Sequence, residues 1–445
     1  MIAPARRVAY RILIEVAAGD GHSDDLLRAP EVDALSAQDR NLVTTLVFGT
    51  LRWQIALDAR IRPLLAKPGA KLSREAEAAL RMGAFQLLHL DRAPAHAVVH
   101  DSVELVKRSR ERGASGLVNA VLRRIAAQGR EPIAPQLSSA QEIAATFAHP
   151  AWMIDRWVRQ YGLAAAEAIC RWDQEAAGVT LRLRGPESVP AGLELDPGAF
   201  LGCARRLIRG DVASRPELES GGFRIQDEAS QLVAEIAAAA APAAARVLDT
   251  CAARGGKTAI LAERLPCAAI TALDVSRQRL EAMRRLLGTL LPGIQYEVAD
   301  AATQRFEPVH DLILCDVPCS GTGTLARNPE IRFRVTEFDL PRQQRRQVAI
   351  LQSALTGLAS DGVLVYSTCS LEPEENEEVI EKVVNKVDGF TLQPVRPILE
   401  QLAQQGVVTG AGRERLDSAV KGLYLRTLPG VHPCDGFFAA VLRRD

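Results

Sequence analysis

The chain has 445 residues, of which 47% are hydrophobic and 24% charged, a globular composition that excludes a long disordered or collagen-like polypeptide. Its 54 basic and 54 acidic residues cancel, so attraction to a polyanion cannot come from net charge, and no apolar run approaches the roughly 20 residues of a bilayer crossing. Eight cysteines are too few and too unevenly placed for a disulfide scaffold, which predicts a cytoplasmic protein with reduced thiols, and the N-terminus lacks a signal-peptide core.

At about 150 residues per domain, the length predicts about three domains. Residues 1–130 read as all-helical. Val8, Ile12 and Val16 share one helical stripe, as do Val99, Val103 and Val106, and Leu117, Val121 and Ile125. Ser36 ahead of Asp39 is a helix-start signal, and Pro63, Pro68, Gly113 and Gly116 interrupt the pattern. Residues 1–150 carry 20 basic against 16 acidic side chains, whereas 226–445 carry 24 against 28, so a polyanion is expected at the N-terminal part. Arg6-Arg7, Lys107-Arg108-Ser109-Arg110 and Arg123-Arg124 are its basic stretches. Each taken alone suits a solvated helix face as well as a phosphate contact.

Residues 131–225 are expected to form a linker and a small mixed subdomain. Pro132, Pro135 and Ser138–Ser139 mark the linker, Trp152–Tyr161 a helix and Val179–Arg184 a strand. From 226 to 445 the period changes. Strand-like runs at Arg246–Asp249, Ala269–Asp274, Gln295–Ala299, Leu312–Asp316 and Val363–Ser367 alternate with helical stretches starting near Thr258, Ser276, Leu340 and Pro373. This α/β alternation predicts a Rossmann-like parallel sheet with helices on both faces. The Ala-rich run Ala237–Ala245 fits a helix end feeding the first strand.

The first strand runs into Cys251-Ala252-Ala253-Arg254-Gly255-Gly256-Lys257, at the carboxyl end where open α/β sheets bind ligands. Gly256-Lys257-Thr258 matches the tail of a phosphate loop, but that motif needs glycine where Cys251 stands, and a dinucleotide G-x-G-x-x-G is absent. Later strands end at Asp274, Asp300 and Asp316. Asp274 is placed to accept hydrogen bonds from ribose hydroxyls. An anionic rim disfavours a phosphate-bearing cofactor and suits a cationic one with a free ribose, namely S-adenosylmethionine.

Cys319 and Cys369 lie just past the ends of adjacent predicted strands and face the same crevice. Cys315, Cys319 and Cys369 lack a C-x-x-C knuckle, so no metal site is expected. Cys170, Cys203, Cys267 and Cys315 suit buried apolar thiols. The strand-end pair is expected to be accessible and close to N–H donors that stabilise thiolate. Methylation at carbon 5 of a cytosine needs this set: a thiolate must add to carbon 6, an acid must stabilise charge at N3, and the enzyme must later be eliminated. Asp316 stands where the acid is needed. One cysteine attacks and the other assists release.

Asp-Val-Pro-Cys-Ser-Gly-Thr-Gly (316–323) and Ser-Thr-Cys-Ser-Leu-x-Pro-x-Glu-Asn-Glu (367–377) resemble the RNA cytosine-5 methyltransferases. Gln226–Ser230 and the closing Asp435–Ala439, expected as a late strand, are similar to the same family. Asp39-Arg40 with Gly49–Arg52, Pro94-x-His96–Val99 and Val118–Arg124 resemble the antitermination factor NusB. Together they resemble the Fmu/Sun family, in which a NusB-like helical domain precedes a class I methyltransferase domain that modifies 16S ribosomal RNA. The resemblance implies Cys369 as nucleophile, Cys319 as the release group and Cys251–Lys257 with Asp274, Asp300 and Asp316 around the cofactor. It implies ribosomal RNA or an assembly intermediate as partner, with no membrane and no obligatory protein partner. Arg254 replaces the proline usual in this family, which predicts a less preorganised loop but a tolerated variation, because Gly255, Gly256 and Lys257 remain.

Two other classes compete. An amino-group methyltransferase presents Asn/Asp-Pro-Pro-aromatic at the fourth strand, where this chain has Val317-Pro318-Cys319 and so a thiol in place of the stacking ring. A non-catalytic RNA-binding factor with a decayed methyltransferase fold should have lost the cysteines or strand-end acids first, and all are present.

Overall fold

The computed structural model describes residues 2–91, 93–129, 137–212 and 215–445. Contacts divide the chain into two compact units, one of residues 1–176 with 325–334 and the other of residues 177–324 with 335–445.

Apolar residues at helical spacing build the first unit. Helices Pro4–Ala18, Ala37–Ile61, Arg74–His89, Ala95–Lys107 and Ser115–Gln128 bury Ile12, Leu46, Leu80, Met82, Leu122 and Ile125 in one core. Ser36 and Ser73 cap two of them by accepting the N–H groups of Asp39 and Ala76. The helical unit does not stop near 130. Ala140–Thr146, Ala151–Tyr161 and Leu163–Gln174 belong to it. Ser139, expected in a linker, caps the first of these by accepting the Glu142 N–H, whereas Pro132 and Pro135 lie outside the described residues.

Ten residues from much later in the chain also join this unit. Buried Glu330 accepts the Ser23 N–H at 2.9 Å and its Oγ–H at 2.8 Å. Arg332 donates to the carbonyls of Arg52 and Asp173 at 2.8 and 3.0 Å, and Arg52 donates to the Ala326 carbonyl at 2.7 Å. Sequence periodicity carries no trace of these pairings because they join residues more than 150 positions apart.

In the second unit, strands β1 (Thr180–Leu183), β2 (Glu194–Pro197), β3 (Ala204–Arg209) and β4 (Phe223–Ile225) form a small antiparallel sheet in the order β2-β3-β1-β4. The large sheet contains β5 (Arg246–Asp249), β6 (Ala269–Asp274), β7 (Ile294–Val298), β8 (His310–Asp316), β9 (Leu358–Thr368), β10 (Phe390–Gln393), β11 (Val420–Lys421), β12 (Tyr424–Arg426) and β13 (Phe438–Arg444). Its order is β11-β12-β13-β9-β8-β5-β6-β7, with β10 also on β13. Strands β5 to β9 are parallel, as the alternation predicts, but β10 to β13 pair antiparallel and make the sheet mixed.

Both faces are buried, so the middles of the central strands are near-continuous apolar runs, such as Leu312–Cys315 and Val363–Tyr366. Val247, Leu312, Leu314 and Val365 pack on one face with the helix Glu228–Ala240, which ends inside the Ala-rich run. Leu248, Ile313, Cys315, Leu364 and Tyr366 pack on the other with Leu340–Thr356 and Glu377–Val384. Among the described residues, no helix is long and apolar enough to cross a membrane.

Glu330→Ala leaves two buried donors of Ser23 without an acceptor, which should destabilise the helical unit by about 2–3 kcal/mol. Denaturant unfolding of the full chain checks this, and an unchanged helical transition would contradict the assignment of residues 325–334 to this core.

Candidate active site

Strand β5 ends at Asp249, and the chain turns into the helix Gly256–Arg264. Gly255 has φ 82°, and a Cβ there would lie 2.6 Å from Met283 Cγ, so the turn requires glycine. Ala253 takes φ 48° despite its Cβ, a left-handed conformation that costs about 1–2 kcal/mol. Two hydrogen bonds hold it there: Ala253 N–H to Asp274 Oδ2 at 3.0 Å, and Gly255 N–H to the Ala252 carbonyl at 2.8 Å. The Asp274 carboxylate thus anchors the residue that precedes Arg254.

Asp274 is 4% exposed, and its carboxylate also accepts the Ser276 N–H at 2.7 Å and faces Arg279 at 3.2 Å. It thus organises two loops at the same strand end. Asp300 is half-exposed at the end of β7 and accepts the Ala302 N–H at 3.0 Å. Asp316 closes β8, where Lys257 Nζ lies 2.8 Å from one oxygen and Ser367 Oγ donates to the other at 2.7 Å. Lys257 also sits 4.9 Å above the Phe437 ring. Its ammonium is engaged by a carboxylate and an aromatic face, not held free for a phosphate.

Asp249 is the acid that ends the first of these strands. It is fully buried and accepts the Thr258 hydroxyl at 2.7 Å. Burial pushes its carboxyl up to about 7, against the Thr258 hydrogen bond that lowers it, and neighbouring Asp316 raises it further. Cys251 is half-buried and its thiol is pushed well up by burial, so any part this residue plays in the crevice falls to its backbone.

Parallel pairing of β8 with β9 sets Asp316 opposite Ser367, and the two following turns bring Cys319 Sγ within 3.4 Å of Cys369 Sγ. Neither thiol is fully buried. The hydrogen bond to Cys369 and then burial raise the Cys319 thiol well above its usual range. The Gly321 N–H opposes this rise by favouring the thiolate, and either sulfur can be the donor across the pair. A cradle of buried groups fixes the pair. Glu375 accepts the Ser320 N–H at 2.8 Å, the Ser320 hydroxyl and the Gln347 amide at 2.9 Å. The Gly323 N–H donates to the Cys369 carbonyl at 2.9 Å. A Cβ at Gly323 would fall 2.4 Å from the Gly436 carbonyl. Glu375 and Gly323 lie inside the quoted motifs, yet nothing in the sequence alone separates their roles from those of their neighbours.

The remaining cysteines divide unevenly. Cys170 and Cys315 are buried as expected, but Cys203 is half-buried and Cys267, in the turn before β6, is exposed. Among the described residues, no three His, Cys, Asp or Glu side chains gather as metal ligands. Of the basic stretches, Arg6 is engaged by Gln86 and Asp101, and Lys107 by Glu104, while Arg7, Arg108, Arg110 and Arg124 are exposed.

Comparison with known proteins finds a match to the family described as 16S rRNA methyltransferase RsmB/F over residues 238–443, and to the NusB family over residues 3–127. Ribosomal RNA small subunit methyltransferase B of Xanthomonas campestris is 33% identical over 91% of this chain and 89% of its own length. The protein of the same name from Pseudomonas putida is 33% identical over 86% and 89%. A crystal structure of a methyltransferase homolog protein from Pyrococcus horikoshii covers 70% of this chain and all of its own, with 25% identity and a TM-score of 0.55.

The raised carboxyl of Asp249 sets a pH dependence. Its unfolded form titrates near 3.8 and its folded form near 7, so the folded chain binds more protons between these values and stability falls as pH rises through that window. Asp249→Asn retains an acceptor for Thr258 and has no charge to bury. Its unfolding free energy, measured from pH 5 to 7, should fall less steeply than that of the wild type, by up to about 1.4 kcal/mol per pH unit. Parallel curves would show that Asp249 is ionised without penalty.

Proposed function

Because the chain belongs to the RsmB/F family of 16S rRNA methyltransferases, we propose that it methylates carbon 5 of a cytosine in 16S ribosomal RNA, with S-adenosylmethionine as donor and Cys369 as nucleophile. The observation that carries this reading is the thiol pair, 3.4 Å apart beside Asp316. The crevice fits the donor: carboxylates at three strand ends suit a cationic sulfonium and ribose hydroxyls, and the glycine turn lets the backbone approach it closely. The bound donor supplies an electrophilic methyl group.

The chain's own residues do the rest. The Cys369 thiolate adds to carbon 6 of the ring, and the displaced electron pair makes carbon 5 nucleophilic. Asp316, positioned by Lys257 and Ser367, enters this step as the acid and gives a proton to the ring nitrogen N3 as negative charge develops there. After methylation, carbon 5 must lose its proton while the carbon 6–sulfur bond returns its electron pair to Cys369. The hydrogen bond that raises the Cys319 thiol is lost once Cys369 is bonded to the ring. Cys319 then gives its own proton to solvent and, as thiolate, takes the proton from carbon 5 during elimination, which is the release role. The NusB-like helical part supplies contacts to the RNA, and such an enzyme works in the cytoplasm.

Two variants separate the cysteines. Cys369→Ala cannot form the adduct, so turnover should vanish. Cys319→Ala should accumulate a protein–RNA band that survives denaturing electrophoresis, and the double variant should show none. A stable band with Cys369→Ala instead would reverse both assignments. For the cofactor, Asp274→Ala removes a charged acceptor and the anchor of Ala253, and should weaken S-adenosylmethionine binding ten- to a hundred-fold or about 1.5–3 kcal/mol. Calorimetric titration of a folded variant with unchanged affinity would remove Asp274 from the cofactor site.

A further inference from the structure

We propose that a cavity within the helical unit, enclosing Thr50 and Gln54 and rimmed by Lys71 and Arg74, binds one unstacked nucleotide of the RNA. This rests on the reading of ribosomal RNA as substrate and adds a second contact site, away from the reacting cytosine.

The cavity measures about 380 Å³, within the usual range for small-ligand sites of about 300–1,000 Å³. Its walls include Leu13, Val16, Leu51, Leu72 and Phe333, which offer apolar surface to the face of a base. Thr50 lines the cavity and is 1% exposed, and its hydroxyl, closed off behind the cavity wall, has no hydrogen-bond partner among the described residues. Such an orphan is costly, and a ligand that turns the Thr50 side chain toward the cavity and bonds to it removes the cost. Gln54 lies four residues further along the same helix and therefore on the same face. A hydroxyl and an amide both donate and accept, which suits the mixed donor and acceptor edge of a nucleobase.

The charges favour the phosphate end of the same ligand. Lys71 and Arg74 are exposed at the cavity. The single carboxylate of the lining, Glu77, is already neutralised by Arg62 and Arg81. Arg81 in turn is held by Asp58, and Arg334 by the carbonyls of Val16 and Gly21. An acyl chain would fill the apolar walls but leave Thr50 and Gln54 unpaired. A nucleotide satisfies walls, polar pair and cations together, and single-stranded RNA is recognised through bases splayed out of the stack in this way.

The test measures binding of the full-length protein to an unmodified 16S ribosomal RNA transcript at several salt concentrations. Lys71→Ala with Arg74→Ala should weaken binding at least tenfold and make the slope of log affinity against log salt shallower by about 1.4, the value for two phosphates of a single strand. Gln54→Leu and the cavity-filling Leu72→Trp should weaken binding several-fold with the slope unchanged, because they touch the base and not the phosphate. The helical circular-dichroism signal and denaturant unfolding of the variants should match the wild type, which reports intact folding of the helical unit. Wild-type RNA affinity and slope in every variant would overturn the proposal and leave the reading of the substrate intact. Failure of the wild type to bind the transcript would overturn the substrate reading, and this proposal with it. Binding of nucleoside 5′-monophosphates that these variants abolish, with RNA affinity untouched, would assign the cavity to a free nucleotide instead.

Discussion

The buried carboxylate of Glu375 holds the reacting end of the sheet together. It accepts the backbone and hydroxyl donors of Ser320 and the amide of Gln347, while its own carbonyl accepts the Tyr366 hydroxyl at 2.6 Å. A carboxylate removed from water is tolerable only when its oxygens are bonded in this manner. These bonds join the turn after β8 to the turn after β9, and each turn carries one of the two thiols. Ser320 and Ser370 then meet at 3.0 Å, Asn376 holds the Ser370 carbonyl at 2.9 Å, and the sulfur atoms are left at 3.4 Å. Chemistry that needs two thiols on one ring depends on that spacing more than on either cysteine alone.

The acids around the crevice would repel one another if they stood free. The structure separates their duties through their partners. Asp316 is matched by Lys257, and Asp274 by Arg279 and two backbone donors. Asp249 has the Thr258 hydroxyl and the Cys251 N–H, no ion pair among the described residues, and a carboxyl raised by burial. Two carboxylates thus remain available as acceptors or as charge, while the third serves the turn from which the glycine loop leaves the sheet. Asp274 shows how closely structure and function are tied here, since the residue expected to meet a ribose also holds Ala253 in its left-handed conformation.

Much of this was legible in the sequence for a simple reason. Parallel strands buried on both faces must be apolar throughout, so β5, β6, β8 and the core of β9 stand out, and residues just past their ends necessarily share one edge of the sheet. That logic places Cys319, Cys369, Asp274 and Asp316 together before any coordinates are known. It fails where partners are distant in sequence. Nothing local marks Glu330 and Arg332 as belonging to the helical core, yet Ser23, Arg52 and Asp173 bond to them there. Of the antiparallel edge only the late strand near Asp435–Ala439 was expected, where β13 runs from Phe438 to Arg444, and the short β10, β11 and β12 carry little periodicity. The raised Cys319 thiol and the exposure of Cys267 depend on neighbours that only the fold supplies.

The central claim, that Cys369 is the residue bonded to the cytosine ring, is tested most directly in the unaltered protein. A 16S ribosomal RNA transcript made with 5-fluorocytidine allows addition and methyl transfer but has no proton on carbon 5 to lose, so the adduct cannot collapse. Digestion of the trapped species and mass spectrometry of the nucleotide-bearing peptide identify the attacking sulfur. The account predicts a methylated fluorocytosine on the peptide containing Cys369, with Cys319 unmodified. A modified Cys319, or no trapped species from a protein that still methylates ordinary RNA, would contradict it.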